Sequence, residues 1–223
     1  MLSSLWKKGA NFLGSDFAIM GGAMSWVSER SLVSAISNAG GFGVIACGAM
    51  SPDLLKKEIM ETQKLTNKPF GVNLITMHPN LNKLIDICIE TKEVFIKSAA
   101  RNAVSSVQIS ADFPVIPVRA IANKASDDFM KHQKEIIDKY QKGQISKEDG
   151  QLEIEKFWSG ALRRAVIEGD VETGSLMAGQ SVGMVDREKP VKEVVNMLIQ
   201  QADSYIESKS AEAENPAIRK ANS

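Results

Sequence analysis

The chain carries no surplus of charge of either sign. Its 27 lysines and arginines offset 27 aspartates and glutamates, so nothing advertises a nucleic acid or an anionic membrane surface as a partner. Cysteine is nearly absent. Cys47 and Cys88 each sit inside an apolar run, which reads as two buried free thiols, and no C-x-x-C or other metal-ligand spacing occurs. Long apolar runs are missing too: none approaches the roughly twenty residues that span a bilayer. Residues Met1 to Lys8 are followed by Gly9, Asn11 and Gly14, not by the apolar core of a signal peptide. A cytoplasmic protein with no membrane and no nucleic-acid partner is the expectation. Histidine is scarce as well, and His78 and His132 are the only two. No Ser-His-acid arrangement, metal cluster or P-loop can be read around them.

What is present is an ordinary globular composition, 43% hydrophobic and 24% charged over 223 residues, with a regular alternation in its first part. Phe17-Ala-Ile-Met20 is a short apolar run ending in Gly21-Gly22. Leu32, Val33, Ala35, Ile36 and Ala39 recur at helical spacing, Gly40-Gly41 stops that helix, and Gly43-Val-Ile-Ala-Cys47 reads as a second strand. Ser51-Pro52 opens a further helix as cap and first turn. Phe70-Gly-Val-Asn-Leu-Ile75 is a third strand, and Leu81, Leu84, Ile85, Cys88 and Ile89 mark a third helix. Strands and helices alternating at these lengths imply parallel βα units covered by helices.

From about Thr91 the alternation stops. Val104 to Ile109 and Val115 to Ala120 are short extended runs, and the remainder reads as helical: Ser126 to Gln141, Ser146 to Glu168, and a segment after Pro190. The expected organisation is 1–92 as βα units, 93–123 as a connecting segment with short strands, 124–210 as a helical region and 211–223 as a flexible tail. Three βα units fall short of the eight, in about 250 residues, of a closed barrel. The fold class is therefore α/β, an incomplete TIM-type (β/α) barrel with a C-terminal helical region.

Ligands of parallel α/β folds sit at the carboxyl ends of strands. That places the Met20-Gly21-Gly22 turn at any such site, where glycines let a flat ring approach the backbone, although a simple tight turn explains them equally well. Asn73, a polar residue in an apolar strand, needs a partner if buried, and its amide offers a donor and an acceptor that match a flavin pyrimidine edge. Gly40-Gly41-Phe42-Gly43 is not a dinucleotide fingerprint, because it follows a helix and precedes a strand; it reads as a helix C-cap and turn. Gly174-Ser-Leu-Met-Ala-Gly-Gln180 is a small-residue loop in which Ser175 and Gln180 supply hydrogen bonds. His78 lies just past the third strand and is a weak candidate for a catalytic base, with a capping role as the alternative. His132, on a charged helix, is expected to be solvated, and Arg163-Arg164 to be one solvated charge and one packing stem.

Taken together, Ile19 to Trp26, Ala35 to Ile45, Thr66 to Leu74, Ser98 to Val104, Ile116 to Arg119, Gly160 to Ala165 and Gly169 to Gly183 resemble the nitronate monooxygenase (2-nitropropane dioxygenase) family. The flavin-dependent enoyl-ACP reductases share much of this pattern. The resemblance implies an FMN-binding TIM barrel acting on a small-molecule substrate. In it Met20, Gly21, Gly22 and Asn73 would contact FMN, and Ser175, Met177, Ala178, Gly179 and Gln180 would close over the same pocket.

The family's central Ala-Gly-Gly-His motif, which bears its catalytic base, and its Gly-Gly-Ile and Gly-Thr-Arg-Phe-like phosphate segments have no counterpart here. The seam falls near Thr91 to Val94, and the missing piece corresponds to the middle and later barrel strands. The resemblance with this gap implies weakened FMN affinity, impaired activity, and strand edges open to homo-oligomer formation. Three functions follow as expectations: oxidation of alkyl nitronates with oxygen to a carbonyl compound and nitrite, enoyl-ACP reduction, or a non-catalytic remnant.

Overall fold

The computed structural model describes residues 2–75, 78–91, 113 and 120–214. The chain divides into two compact units. The first comprises Met1–Met24, Ser28–Lys97 and Glu188–Ser223; the second comprises Ser25–Val27 and Ser98–Arg187.

The first unit opens with two short helices, α1 (Leu2–Leu5) and α2 (Lys7–Leu13), and continues with α3 (Arg30–Asn38), β1 (Gly43–Ala46), α4 (Pro52–Leu65), β2 (Phe70–Asn73) and α5 (Leu81–Glu90). β1 and β2 pair in parallel, with Gly43 opposite Phe70 and Ala46 opposite Asn73, so the crossover through α4 is the βα unit that the alternation foretold. The core lies between strands and helices: Val33, Ile45, Cys47, Leu55, Ile59, Phe70, Val72, Leu84 and Cys88 are all buried in one cluster.

The expected first strand is only partly realised. Phe42 donates its amide to Ile19 and accepts from Gly21, which makes one parallel bridge between Met20 and Phe42. The ladder does not continue: further along the same side of the strand the Ala46 amide donates to the Ser28 carbonyl, at 3.0 Å. Glycine at 43 has its own cause. A Cβ there would stand 2.3 Å from the Val33 carbonyl oxygen, so α3 rests directly on the β1 backbone.

Helix boundaries follow their capping chemistry. Ser51 accepts from the Leu54 amide with Pro52 in the first turn. Gly40, at φ +91, lets the chain leave α3 in a left-handed conformation. The start of α3 is doubly covered. Glu29 accepts from the amides of Ser31 and Leu32, while the buried Glu58 on α4 takes the Arg30 amide and both arms of its guanidinium. That carboxylate beside Arg30 raises the guanidinium pKa further. The long α8 (Val191–Glu214) lies against α3 and α1. It thus joins the first unit, although it follows the second in sequence and extends past the expected boundary at 210.

The second unit is a helical hairpin of α6 (Lys124–Gln141) and α7 (Lys147–Arg163), with Phe113, Ile136 and Ile154 buried between them. A π turn, Arg164–Glu168, closes α7 and ends at Gly169 with φ +70. His132 differs from the solvated residue expected on a charged helix. It is half-buried and stacked on Phe157, with ring centroids 4.8 Å apart, and its Nε2 is enclosed without a hydrogen bond. The Phe157 ring on α7 covers it despite the charged composition of α6. The expected short strands at 104–109 and 115–119 and the tail beyond 214 lie outside the described residues; Ala120 forms one antiparallel bridge with Met177. Among the described residues no helix is long and apolar enough to cross a membrane.

Candidate functional site

The residues singled out in the sequence fall into two sets, one in each unit. In the first unit Met20 is bridged to Phe42 just ahead of β1, Gly21 and Gly22 follow it, and Asn73 pairs with Ala46 at the far end of β1, so β1 lies between the Met20 bridge and β2 with Met20 and Asn73 at opposite ends of it. Three large apolar side chains on these segments are open to solvent: Met20 is 56% exposed and Met24 and Ile75 each 41%. Ile75 covers Gly48, where a Cβ would come within 2.2 Å of its Cδ1.

The glycine pair is not uniform. A Cβ on Gly21 would meet Ile36 Cδ1 at 2.6 Å, so packing onto α3 explains that residue. Gly22 has nothing within 4 Å of its would-be Cβ and no left-handed φ. Among the described residues neither packing nor backbone conformation requires glycine at 22.

The turn that carries Gly22 is held by a residue the sequence reading passed over. Ser28, 2% exposed, donates its hydroxyl to the Gly22 carbonyl at 3.0 Å and accepts from the Met24 amide at 3.0 Å. Its own carbonyl takes the amide of Ala46 at the end of β1. A serine flanked by Val27 and Glu29 has no signal of this role in the sequence.

Asn73 requires a correction. The argument for it was a buried polar group in need of a partner, but it is exposed, at the last position of β2. Its backbone carbonyl accepts from Cys47 Sγ at 2.9 Å, while its side-chain amide makes no hydrogen bond to a described residue. The β2 register places residues 70–72 in the core and lets the fourth residue leave it. Burial pushes the Cys47 thiol up to about 11, helped by its proximity to Cys88, and burial pushes Cys88 up to about 11 as well. Both are protonated core thiols at neutral pH. His78 is half-buried just before α5, where its Nδ1 accepts from the Asn80 amide at 3.0 Å.

In the second unit Ser175 is 3% exposed and its hydroxyl has no hydrogen-bond partner. Met177 is 40% exposed, Ala178 half-buried and Gly179 exposed, and Gln180 begins a short 3₁₀ turn, Gln180–Met184. The preceding turn is fixed by Asp170, whose carboxylate accepts from the Thr173 hydroxyl and from the amides of Thr173 and Glu172. Those bonds, the Thr173 hydroxyl first, hold its pKa below the usual carboxylate range. Arg163 and Arg164 behave as expected. Arg163 is exposed, pairs with Glu168, and lies 5.9 Å over the Trp26 ring; Arg164 turns inward to the Thr173 carbonyl. Trp26, also unremarked in the sequence, has a left-handed φ of +68 and an enclosed indole N–H without a partner. Among the described residues no group of His, Cys, Asp and Glu is arranged to hold a metal.

Comparison with known proteins fits this geometry. The nitronate monooxygenase family model matches residues 8–110, the stretch that builds the strand edge. A nitronate monooxygenase of Paraburkholderia phytofirmans is 43% identical over 67 residues, 30% of this chain and 18% of its own length. A 5-hydroxy-7a-methyl-1-oxo-octahydro-indene-4-carboxyl-CoA dehydrogenase of Mycobacterium tuberculosis is 40% identical over 62 residues, 28% of this chain and 18% of its own length. The chain thus aligns with less than one fifth of either curated relative. In three dimensions it is similar to FabK from Thermotoga maritima, with a TM-score of 0.65 and 25% identity, over 92% of this chain and 98% of that one. The chain is thus similar to nitronate monooxygenases over part of its length and to FabK over most of it.

Proposed function

We propose that this chain is a flavin-dependent oxidoreductase of the nitronate monooxygenase type, with FMN as its cofactor. The observation that carries the reading is Gly22, a glycine just past the Met20 bridge where no described residue requires glycine. Exposed Met20 supplies apolar surface for a ring, and exposed Asn73 at the end of β2 offers an amide. The orphaned Ser175 hydroxyl is a second polar group that a ligand or water would satisfy. The residues fit a flat, partly polar cofactor.

In this reading Met20, Gly21, Gly22 and Asn73 of the first unit bind and orient the isoalloxazine. Bound FMN supplies the electron acceptance from an alkyl nitronate and the reoxidation by oxygen that yield a carbonyl compound and nitrite. A nitronate is already deprotonated, so the chemistry does not require a base from the chain. His78 Nδ1 is engaged by the Asn80 amide, which leaves it a positioning role at the start of α5.

A second reading, enoyl thioester reduction, is favoured by the likeness to FabK across most of the chain. Titration of the purified protein with FMN, followed by nitrite release from an alkyl nitronate against NADH consumption with a crotonyl thioester, separates the two. Nitrite release supports the first. A protein that stays colourless after FMN is added defeats both and leaves the non-catalytic remnant.

A further inference from the structure

Four consecutive carbonyls ahead of the Ser175–Gln180 loop are each bound by a donor from the N-terminus of α6 or from the π turn that follows α7. The Asn123 side-chain amide donates to Val171 O and to Gly174 O, both at 2.8 Å. The Ala125 amide donates to Glu172 O at 3.2 Å, and Arg164 Nη2 donates to Thr173 O at 2.9 Å. Beyond them the Ser175 amide donates to Ala161 O at 2.9 Å, and the Ile121 amide donates to Leu176 O at 2.8 Å. Glycine at 174 is forced by this closeness, since a Cβ there would stand 2.1 Å from Asp170 O.

Asn123 is the hinge of the arrangement. Its Oδ1 accepts from the Ser126 amide and its backbone groups exchange bonds with the Ser126 hydroxyl, which completes the capping box of α6. A single side chain therefore starts a helix with its oxygen and grips a loop with its nitrogen. Capping requires only the oxygen. The two bonds to Val171 and Gly174 are a separate function, and they fix where Ser175 to Gln180 begin.

We propose that Asn123 is a positioning residue that holds the Ser175–Gln180 loop in the conformation that receives the flavin, with Arg164 as the second clamp. The part that concerns flavin rests on the functional reading above; the clamp itself does not. Asn123→Asp keeps the capping oxygen and removes both donors, and Asn123→Ser does the same without adding charge.

Amide hydrogen exchange read by mass spectrometry, with far-UV circular dichroism and FMN titration, tests both parts. In each variant helix content is retained, while the Ser175 and Leu176 region exchanges about tenfold or more faster, as two lost hydrogen bonds of ~0.5–1.5 kcal/mol each imply. The FMN dissociation constant rises about tenfold or more. Unchanged exchange in both variants overturns the clamp, whatever happens to FMN. Faster exchange with unchanged FMN affinity overturns the link between clamp and flavin. Faster exchange in a parent chain that never binds FMN supports the clamp and overturns the flavin reading alone. A loss of helix content in Asn123→Ser and Asn123→Asp alike overturns the separation of capping from gripping.

Discussion

Replacing Gly22 by alanine separates a glycine kept for a ligand from one kept for the fold. The added methyl has no neighbour within 4 Å and the backbone is not left-handed, so the chain alone has no reason to resist it. A glycine-to-alanine change at a compatible position restricts the unfolded chain and stabilises by ~0.4–1 kcal/mol. For a chain of this length that raises the melting temperature by roughly 1–4 °C. If a flat ring lies against residue 22, the same methyl forces it away. Overpacking of this kind costs about 1–3 kcal/mol, which weakens binding roughly fivefold to 150-fold. Calorimetry gives the first quantity and FMN titration by absorbance or fluorescence quenching gives the second. Gly160→Ala, where a Cβ would meet only Arg164 Nη1 at 3.7 Å, is the matched control and leaves FMN affinity unchanged. A Gly22→Ala protein that binds FMN as tightly as the parent refutes the placement of flavin at this turn. One that melts well below the parent refutes the claim that the turn has room.

Gly43→Ala is the opposite case. Its Cβ would meet Val33 O at 2.3 Å and Val33 Cα at 2.9 Å, so α3 must lift off β1, at about 3 kcal/mol. Denaturant unfolding that shows no loss would contradict the close contact. The core thiols give a pH dependence with a definite sign. Their folded pKa of about 11 exceeds the ordinary 9.0, so the folded state holds protons that the unfolded state releases. The stabilisation is whole below pH 9 and is lost as pH rises towards 11, by up to ~3 kcal/mol per thiol. Urea midpoints of the parent between pH 8 and 10.5 fall more steeply than those of a Cys47→Ala, Cys88→Ala protein; equal slopes would show the thiols are not buried.

The elements that were legible in the sequence are those whose signal is local. Ser51-Pro52 announces α4 because a cap and a proline at the first turn act within four residues, and α3 ends at Gly40 because only a left-handed residue lets the chain turn there. β1 and β2 were readable as apolar runs between helices. Phe17 to Met20 has an equally apolar composition, yet it reduces to one bridge, and further along the same side of β1 the Ala46 amide goes to the Ser28 carbonyl. His132 was misjudged for the same reason. Its own helix is charged, and the aromatic ring that encloses it comes from α7, 25 positions away in the chain.

The candidate site divides along the same line. The residue types were readable, but their register was not: Met20 pairs ahead of β1 and Asn73 at its far end. Nor was the reason for Asn73: it is the last residue of a four-residue strand, and its side chain faces solvent. Ser28 and Asn123 carry as much of the arrangement as any residue named from sequence, and they differ in how visible they are. Asn123 precedes a helix and could have been read as a cap, but the cap consumes only its oxygen, and the destination of its nitrogen lies 48 and 51 residues downstream. Ser28 gives no local signal, because both of its hydroxyl bonds serve the main chain of the Gly22 turn. What a sequence conceals here is the second hydrogen bond of a residue whose first is obvious. The residues that aim a site are therefore harder to find than the residues that line it.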